Sequence, residues 1–193
     1  MAIADAFFED GGLLNYGEAL NGYRNFLVYF PDNSRADHAQ FMVGMSLFKQ
    51  VLSPDRDQTL TLKAIEEYRK VETVYPDSPY VAKARRSIED CFDLLAEHER
   101  VVGYFYQRRK SWKAAIDRYR DLLDKYPRYS NTEAVLFALG GCLLNDGQRT
   151  AAGEIFGRLQ HEYPDGRQTG KVKKLLEDFD KESARRWAKE ASS

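Results

Sequence analysis

Four stretches of the sequence set an alanine 12 residues before a proline: Ala19 to Pro31, Ala64 to Pro76, Ala115 to Pro127 and Ala152 to Pro164. Four residues after each alanine comes a ring: Tyr23, Tyr68, Tyr119 or Phe156. Seven after comes Phe26, Val71, Leu122 or Leu159, and Phe30, Tyr75, Tyr126 or Tyr163 directly precedes the proline. Positions 0, 4, 7 and 11 share one face of an α-helix. Proline then ends the helix, because it has no N–H and pushes the residue before it out of α geometry. Each copy therefore predicts one amphipathic helix with a fixed stop, and four copies predict a stacked repeat.

The segments between the copies supply a second helix. Phe41, Gly44 and Leu47 follow Pro31 at the offsets at which Phe137, Gly140 and Leu143 follow Pro127. A glycine at that place suits two helix backbones that approach closely. Helix, turn, helix, proline is the tetratricopeptide pattern, with a usual period of about 34 residues. The expected fold is all-α, a right-handed solenoid of helix pairs whose core is a strip between neighbours. Residues 1–110 would form the amino-terminal repeats with a long connecting helix. Residues 111–193 would form the carboxy-terminal repeats and a capping helix.

The proline intervals are 45, 51 and 37 residues, so the first two are stretched. In the second, Val81, Ala84, Ile88, Cys91, Leu95, His98, Val102 and Phe105 alternate steps of three and four with no proline between them. This predicts one helix from Tyr80 to Arg108, roughly 40 Å long at 1.5 Å per residue. His98 on that seam reads as a hydrogen-bonded core residue, and Gly103 only as a weak point. In the first stretch, Val51 to Leu62, Pro54 ends a helix and Asp57, Thr59 and Thr61 are candidate caps for the next. After Pro164, Val172, Leu175, Leu176 and Phe179 line one side of a highly charged helix, which suits a solvating terminal cap. Trp187 would fold back onto it.

Bulk composition narrows the function. The net charge is −1, with 43% hydrophobic and 31% charged residues, which is ordinary for a soluble fold and offers no broad grip on nucleic acid. Residues 1–60 carry 8 acids and 4 bases, so the amino-terminal third is the acidic end. No transmembrane run or signal peptide is present. Residues 3–11 read as the tail of a helix, so the natural chain is expected to extend further upstream. His38, His98 and His161 are dispersed, and Cys91 and Cys142 sit at apolar helical positions without metal-ligand spacing. The expectation is no enzyme, no cofactor and no metal.

A basic and aromatic cluster, Tyr104, Tyr106, Arg108, Arg109, Lys110 and Trp112, closes the long helix. Tyr, Trp and Arg are frequent interface anchors. Equally, Trp112 starts the next apolar stripe, and cations at a helix end favour its dipole. Arg118 lies off the stripe of Trp112, Ala115, Ile116, Tyr119 and Leu122. A groove near Tyr16, Tyr23 and Phe41 is the alternative binding surface.

Two stretches, RDQTLTLKAIEEYRKVETVYPDSPY (Arg56 to Tyr80) and LAEHERVVGYFYQRRKSWKAAIDRYRDLLDKYP (Leu95 to Pro127), resemble the BamD family. These are tetratricopeptide lipoproteins of the outer-membrane β-barrel assembly machine. The likeness covers residues 16 to 165. It implies a scaffold at the periplasmic face of the outer membrane, with the lipid-bearing cysteine, signal peptide and first repeat lying outside this chain. Membrane attachment would come only through that absent lipid anchor. The resemblance implies that the carboxy-terminal half docks on the periplasmic domains of the barrel-inserting subunit, with Arg118 matching an interface arginine. The amino-terminal groove would meet unfolded barrel precursors. The repeat domain of the Tol-Pal-associated cell-division coordinator shares the Tyr-Pro-Asp-Ser style but runs at near-regular spacing. A peptide-clamping adaptor repeat would need Asn and Lys along one groove, a set this sequence does not offer.

Overall fold

A computed structural model describes the backbone of residues 1–190 and the side chains through Lys181. Trp187 lies outside the described side chains. Among the described residues the elements are all helical: α1 (Ala2–Asp10), α2 (Leu13–Tyr29), α3 (Ala36–Lys49), α4 (Thr59–Val74), α5 (Val81–Arg108), α6 (Trp112–Lys125), α7 (Thr132–Asn145), α8 (Arg149–Glu162) and α9 (Thr169–Glu190). The long helix is continuous, as the seam predicts. The chain forms two compact units, Met1–His98 and Glu99–Ser193, so the division falls inside α5 and upstream of residue 110.

The repeated first helices are α2, α4, α6 and α8. Their alanines at position 0 are all fully buried, and the rings at position 4 are no more than 3% exposed. Each helix stops just short of the residue that precedes its proline. Phe30, Tyr75, Tyr126 and Tyr163 adopt φ between −136° and −127° and ψ between 56° and 65°, outside the helical region. Each donates its N–H to the carbonyl of the position-7 residue, completing the last helical hydrogen bond. This departure corrects the expected stripe. The ring at position 11 swings off it, and Phe30 is 55% exposed. Phe26 is also only half-buried.

The second helices carry the glycines, and each meets the ring of the following pair. A Cβ on Gly44 would come within 2.6 Å of the Tyr68 ring, and one on Gly103 within 2.5 Å of the Tyr119 ring. A Cβ on Gly140 would likewise strike Phe156. Gly103 is therefore a packing position rather than a weak point. Phe105, expected on the seam, is 48% exposed.

In unit 1, α1 packs on α2, α2 on α3 and α3 on α4. The Tyr23 hydroxyl donates to Asp5 at 2.8 Å, and Arg35 pairs with the same carboxylate. Glu67 joins three helices: it accepts from Gln40 at 2.8 Å and from Lys70 at 2.8 Å, and pairs with Arg24. The connector before α4 is closed by its own polar groups. Gln58 donates to the carbonyls of Ser53, Pro54 and Arg56 and accepts from Thr61. Asp57 accepts from the Thr59 N–H at 3.2 Å, but the N-cap position is Gln58 and carries no side-chain cap, so none of the three candidates caps α4. His98 Nδ1 donates to the Pro54 carbonyl, pinning the connector to α5; the expected hydrogen bond is made, but His98 is half-buried rather than a core residue.

In unit 2, α6 packs on α7, α7 on α8, and α9 touches both α7 and α8. Glu133 accepts from the N–H groups of Gln168 and Thr169 at the start of α9. Val172 is buried, Leu175, Leu176 and Phe179 are half-buried, and the lysines at 171, 173 and 174 face solvent. Arg149 lies over the Phe179 ring and pairs with Asp180. Through Lys181, α9 is thus amphipathic.

Two glycines separate packing from helix propensity. Gly103→Ala should destabilise by about 1–3 kcal/mol, because a buried ring must yield to the methyl group. Gly157, in α8, has open space around it, so Gly157→Ala should stabilise by roughly 0.5–1 kcal/mol. Urea melts of the two variants should move in opposite directions. A stabilised Gly103→Ala protein would refute the notch.

Glu67 supplies a pH test. Burial alone would raise its carboxyl, but Lys70, Gln40 and Arg24 outweigh burial and hold it below the usual 4.5. A carboxyl lowered in the folded state stabilises at neutral pH, and that contribution is lost as pH falls through the folded value. Glu67→Gln should therefore lose stability at neutral pH and show a shallower acid limb. An unchanged limb in urea melts across the acid range would remove Glu67 as a contributor.

Candidate functional site

The histidines and cysteines are dispersed over both units. Among the described residues no group of three or more His, Cys, Asp or Glu is placed to hold a metal ion. Cys91 and Cys142 are free and fully buried, and burial pushes each thiol up to about 12. His38 lies half-buried between the rings of Tyr23 and Tyr80, and burial lowers its pKa. His161 is exposed in α8.

The end of α5 brings the predicted basic and aromatic residues into a ridge. The Arg108 guanidinium sits 6.0 Å from the Tyr104 ring centroid, and that of Arg109 sits 3.6 Å from Phe105. Phe105 meets Tyr106 edge-on at 5.5 Å. Tyr104 and Phe105 are each 48% exposed, and Arg108, Arg109 and Lys110 face solvent. The chain reverses directly after them. Ser111 donates its N–H to the Tyr106 carbonyl and Lys110 donates to that of Gln107. Trp112, half-buried, opens α6. The Tyr119 hydroxyl donates to Gln107 at 2.7 Å, tying α6 to the last turns of α5.

Arg118 stands off the buried stripe of α6, as its position predicts, but it is not unengaged. Its Nη1 donates to Glu99 Oε2 at 3.3 Å, and its side chain stays 43% exposed. Phe105 and Glu99 are the site residues that sequence reasoning missed. For Phe105 the available signal was the glycine: Gly103 precedes Tyr119 by the same interval that separates Gly140 from Phe156. Only one of these two neighbours, Gly103 or Phe105, can occupy the buried seam.

The groove alternative is reduced. Tyr23 is fully buried and Phe41 is 7% exposed, stacked on Tyr80 at 5.4 Å. Both rings are core residues of unit 1 and present no open face. Tyr16 remains half-buried beside Phe8. A cavity of about 520 Å³ lies elsewhere in unit 1, between two successive inter-helix turns. Asp32, Asp37 and Asp77 line it with Tyr75 and Pro76. Asp37 accepts a hydrogen bond from Ser78 across it. Of the eight acids in residues 1–60, Asp32 and Asp37 line this cavity.

The model of the family described as outer membrane lipoprotein, YfiO, matches residues 12–141. The chain belongs to this family. A tetratricopeptide-repeat model matches residues 134–166, in agreement with the all-α repeat fold. The outer membrane protein assembly factor BamD of Caulobacter vibrioides is 29% identical over 163 residues, 84% of this chain and 53% of the relative. That of Rickettsia prowazekii is 23% identical over 164 residues, 85% of this chain and 65% of the relative. That of Vibrio cholerae is 38% identical over 114 residues, 54% of this chain and 46% of the relative. The chain thus spans about half to two thirds of the length of these curated relatives. The family is one of assembly factors on a repeat scaffold, a non-enzymatic class. The matched residues include the ridge and Arg118 but not α9. Among the described residues no helix is long and apolar enough to cross a membrane.

The two thiols provide a direct check of burial. In the native protein at pH 8, neither Cys91 nor Cys142 should react with a thiol-specific reagent on the timescale on which free cysteine is consumed. Both should react at once in denaturant. Rapid labelling of one thiol in the native protein would place it at a surface.

Proposed function

We propose that the chain is a protein–protein interaction scaffold in the assembly and insertion of outer-membrane β-barrel proteins, acting at the periplasmic face of the outer membrane. The observation that carries the reading is the family match over residues 12–141, together with relatives named as assembly factors. The carboxy-terminal half docks on the periplasmic domains of the barrel-inserting subunit, through Arg118 and the ridge of Tyr104, Tyr106, Arg108, Arg109 and Lys110. Unit 1 meets unfolded barrel precursors. A surface of exposed cations and half-exposed rings, with buried thiols and no metal cluster among the described residues, suits docking better than turnover.

Arg118 is suited to recognise an acidic patch. Glu99 holds one edge of its guanidinium, which limits the freedom that must be lost on binding. The remaining donors can take a carboxylate with two parallel hydrogen bonds, a geometry lysine lacks.

Arg118→Ala should weaken binding to those periplasmic domains at least about tenfold, in line with truncation of a buried charge partner. Arg118→Lys should recover only part of the loss. The thermal melt should move little, since an exposed ion pair contributes about 0–1 kcal/mol. Titrations at physiological salt decide the matter: full affinity in the Arg118→Ala protein would take Arg118 out of the interface.

A further inference from the structure

Lys110 has φ 59° and is the one non-glycine residue with positive φ among the described residues. Its surroundings define why that conformation is required. Ser111 donates to the Tyr106 carbonyl at 3.1 Å and Lys110 donates to that of Gln107 at 3.0 Å. This is the paired hydrogen-bond pattern that closes a helix through one left-handed residue, usually glycine. The next repeat contains the same turn. Gln148 donates to the Leu143 carbonyl at 2.9 Å and Gly147 donates to that of Leu144 at 3.1 Å, with Gly147 at φ 82°. Lys110 and Gly147 are separated by the same interval as Pro127 and Pro164. Within this one chain, then, the same turn is built once with the residue the geometry favours and once with a lysine that opposes it. A left-handed backbone brings Cβ against the following carbonyl, so the lysine costs stability that glycine would not.

A charge kept against backbone preference points to use of the charge. Its setting agrees. From Arg100 to Ile116 the sequence holds five bases and no acid. Arg108 and Arg109 rest their guanidinium groups on Tyr104 and Phe105. Stacking covers a guanidinium face but leaves its in-plane N–H edges to donate. Three consecutive cations therefore stand exposed, two of them oriented by rings and the third by a fixed turn.

We propose that Lys110 is a partner-contacting residue which, with Arg108 and Arg109, forms a ridge that takes clustered carboxylates of an acidic protein segment. The proposal rests on the reading of this ridge as a docking surface and not on which partner docks. Fixed orientation favours a directional protein ligand over an anionic lipid surface. Attraction to headgroups is diffuse, counts charges rather than positions them, and needs no strained turn.

The test uses the full chain and a fluorescein-labelled octaglutamate peptide, read by anisotropy at low ionic strength so that screening does not hide a weak site. Lys110→Gly should raise the melting temperature by about 2–4 °C. It should weaken the peptide about three- to fivefold, the effect of one rim charge. Lys110→Asn, which also tolerates the left-handed region, should show the same loss of binding. Equal peptide affinity in the Lys110→Gly protein, or a lower melting temperature, would overturn the proposal. So would binding of phosphatidylglycerol vesicles by wild type without binding of octaglutamate, which would assign the ridge to lipid. Failure of the barrel-inserting subunit to bind wild type would count against the proposed partner, while retained, Lys110-dependent octaglutamate binding would still support the ridge.

Discussion

The contact on which the architecture depends is a buried ring seated in a glycine notch of the preceding helix pair. Tyr68 lies against Gly44, Tyr119 against Gly103 and Phe156 against Gly140. In each case the ring belongs to the repeat that follows. No pair can bury its own ring, so each is incomplete until its neighbour stacks, which is the physical reason repeats of this kind occur in series. The two tyrosines carry a second constraint, because a buried hydroxyl needs a partner. Tyr68 donates to the Met45 sulfur at 3.3 Å and Tyr119 to Gln107 at 2.7 Å. Phe156 occupies the last notch and makes no such demand.

Spacing between notch and ring explains how the irregular intervals are tolerated. Gly103 to Tyr119 and Gly140 to Phe156 span equal lengths of chain, whereas Gly44 to Tyr68 is longer. The extra residues form the connector that Gln58, Asp57 and His98 close with hydrogen bonds. They add loop length without touching the notch, and added loop length carries only a slowly growing entropy cost. The interval from Pro76 to Pro127 is stretched differently, by lengthening a helix. It exceeds the interval from Pro127 to Pro164 by about four whole turns at 3.6 residues per turn, so the added length nearly preserves the helical phase of the apolar positions in α5. Ala84, Cys91 and Leu95 are thus buried in unit 1, and Gly103 is buried farther along the same helix.

Much of this was legible in the sequence, because the constraints that set helix type and phase are local. The alanine, the ring four residues on and the terminating proline define each first helix, and the absence of proline predicts the unbroken α5. Three features were not legible, each for a reason of geometry. Phe30 shares the helical phase of the stripe but leaves it, since the residue before proline turns out of α conformation. Phe105 fits a three-four seam, yet the seam there runs through Gly103, and apolarity alone cannot choose between neighbours. Tyr23 and Phe41 look like interface rings by type, but the polar end of Tyr23 is satisfied by Asp5 inside the unit. The Arg118 to Glu99 contact joins residues 19 apart on different helices, a pairing that no single-helix pattern encodes.

Packing constrains the middles of these helices far more than their ends. A residue such as Tyr119 or Gly103 meets atoms on every side, so substitution there disturbs stacking before it alters any surface. At the end of α5 the demands are only those of the turn: a carbonyl to accept from Ser111 and one residue able to adopt positive φ. Side chains on such a turn can change with little effect on the notch and ring contacts. That freedom makes a helix end the natural place for partner recognition in a stacked repeat. It also makes a lysine in the left-handed region informative, because Gly147 serves the equivalent turn. The turn itself does not require Lys110, and its presence there is consistent with the docking role proposed for the ridge.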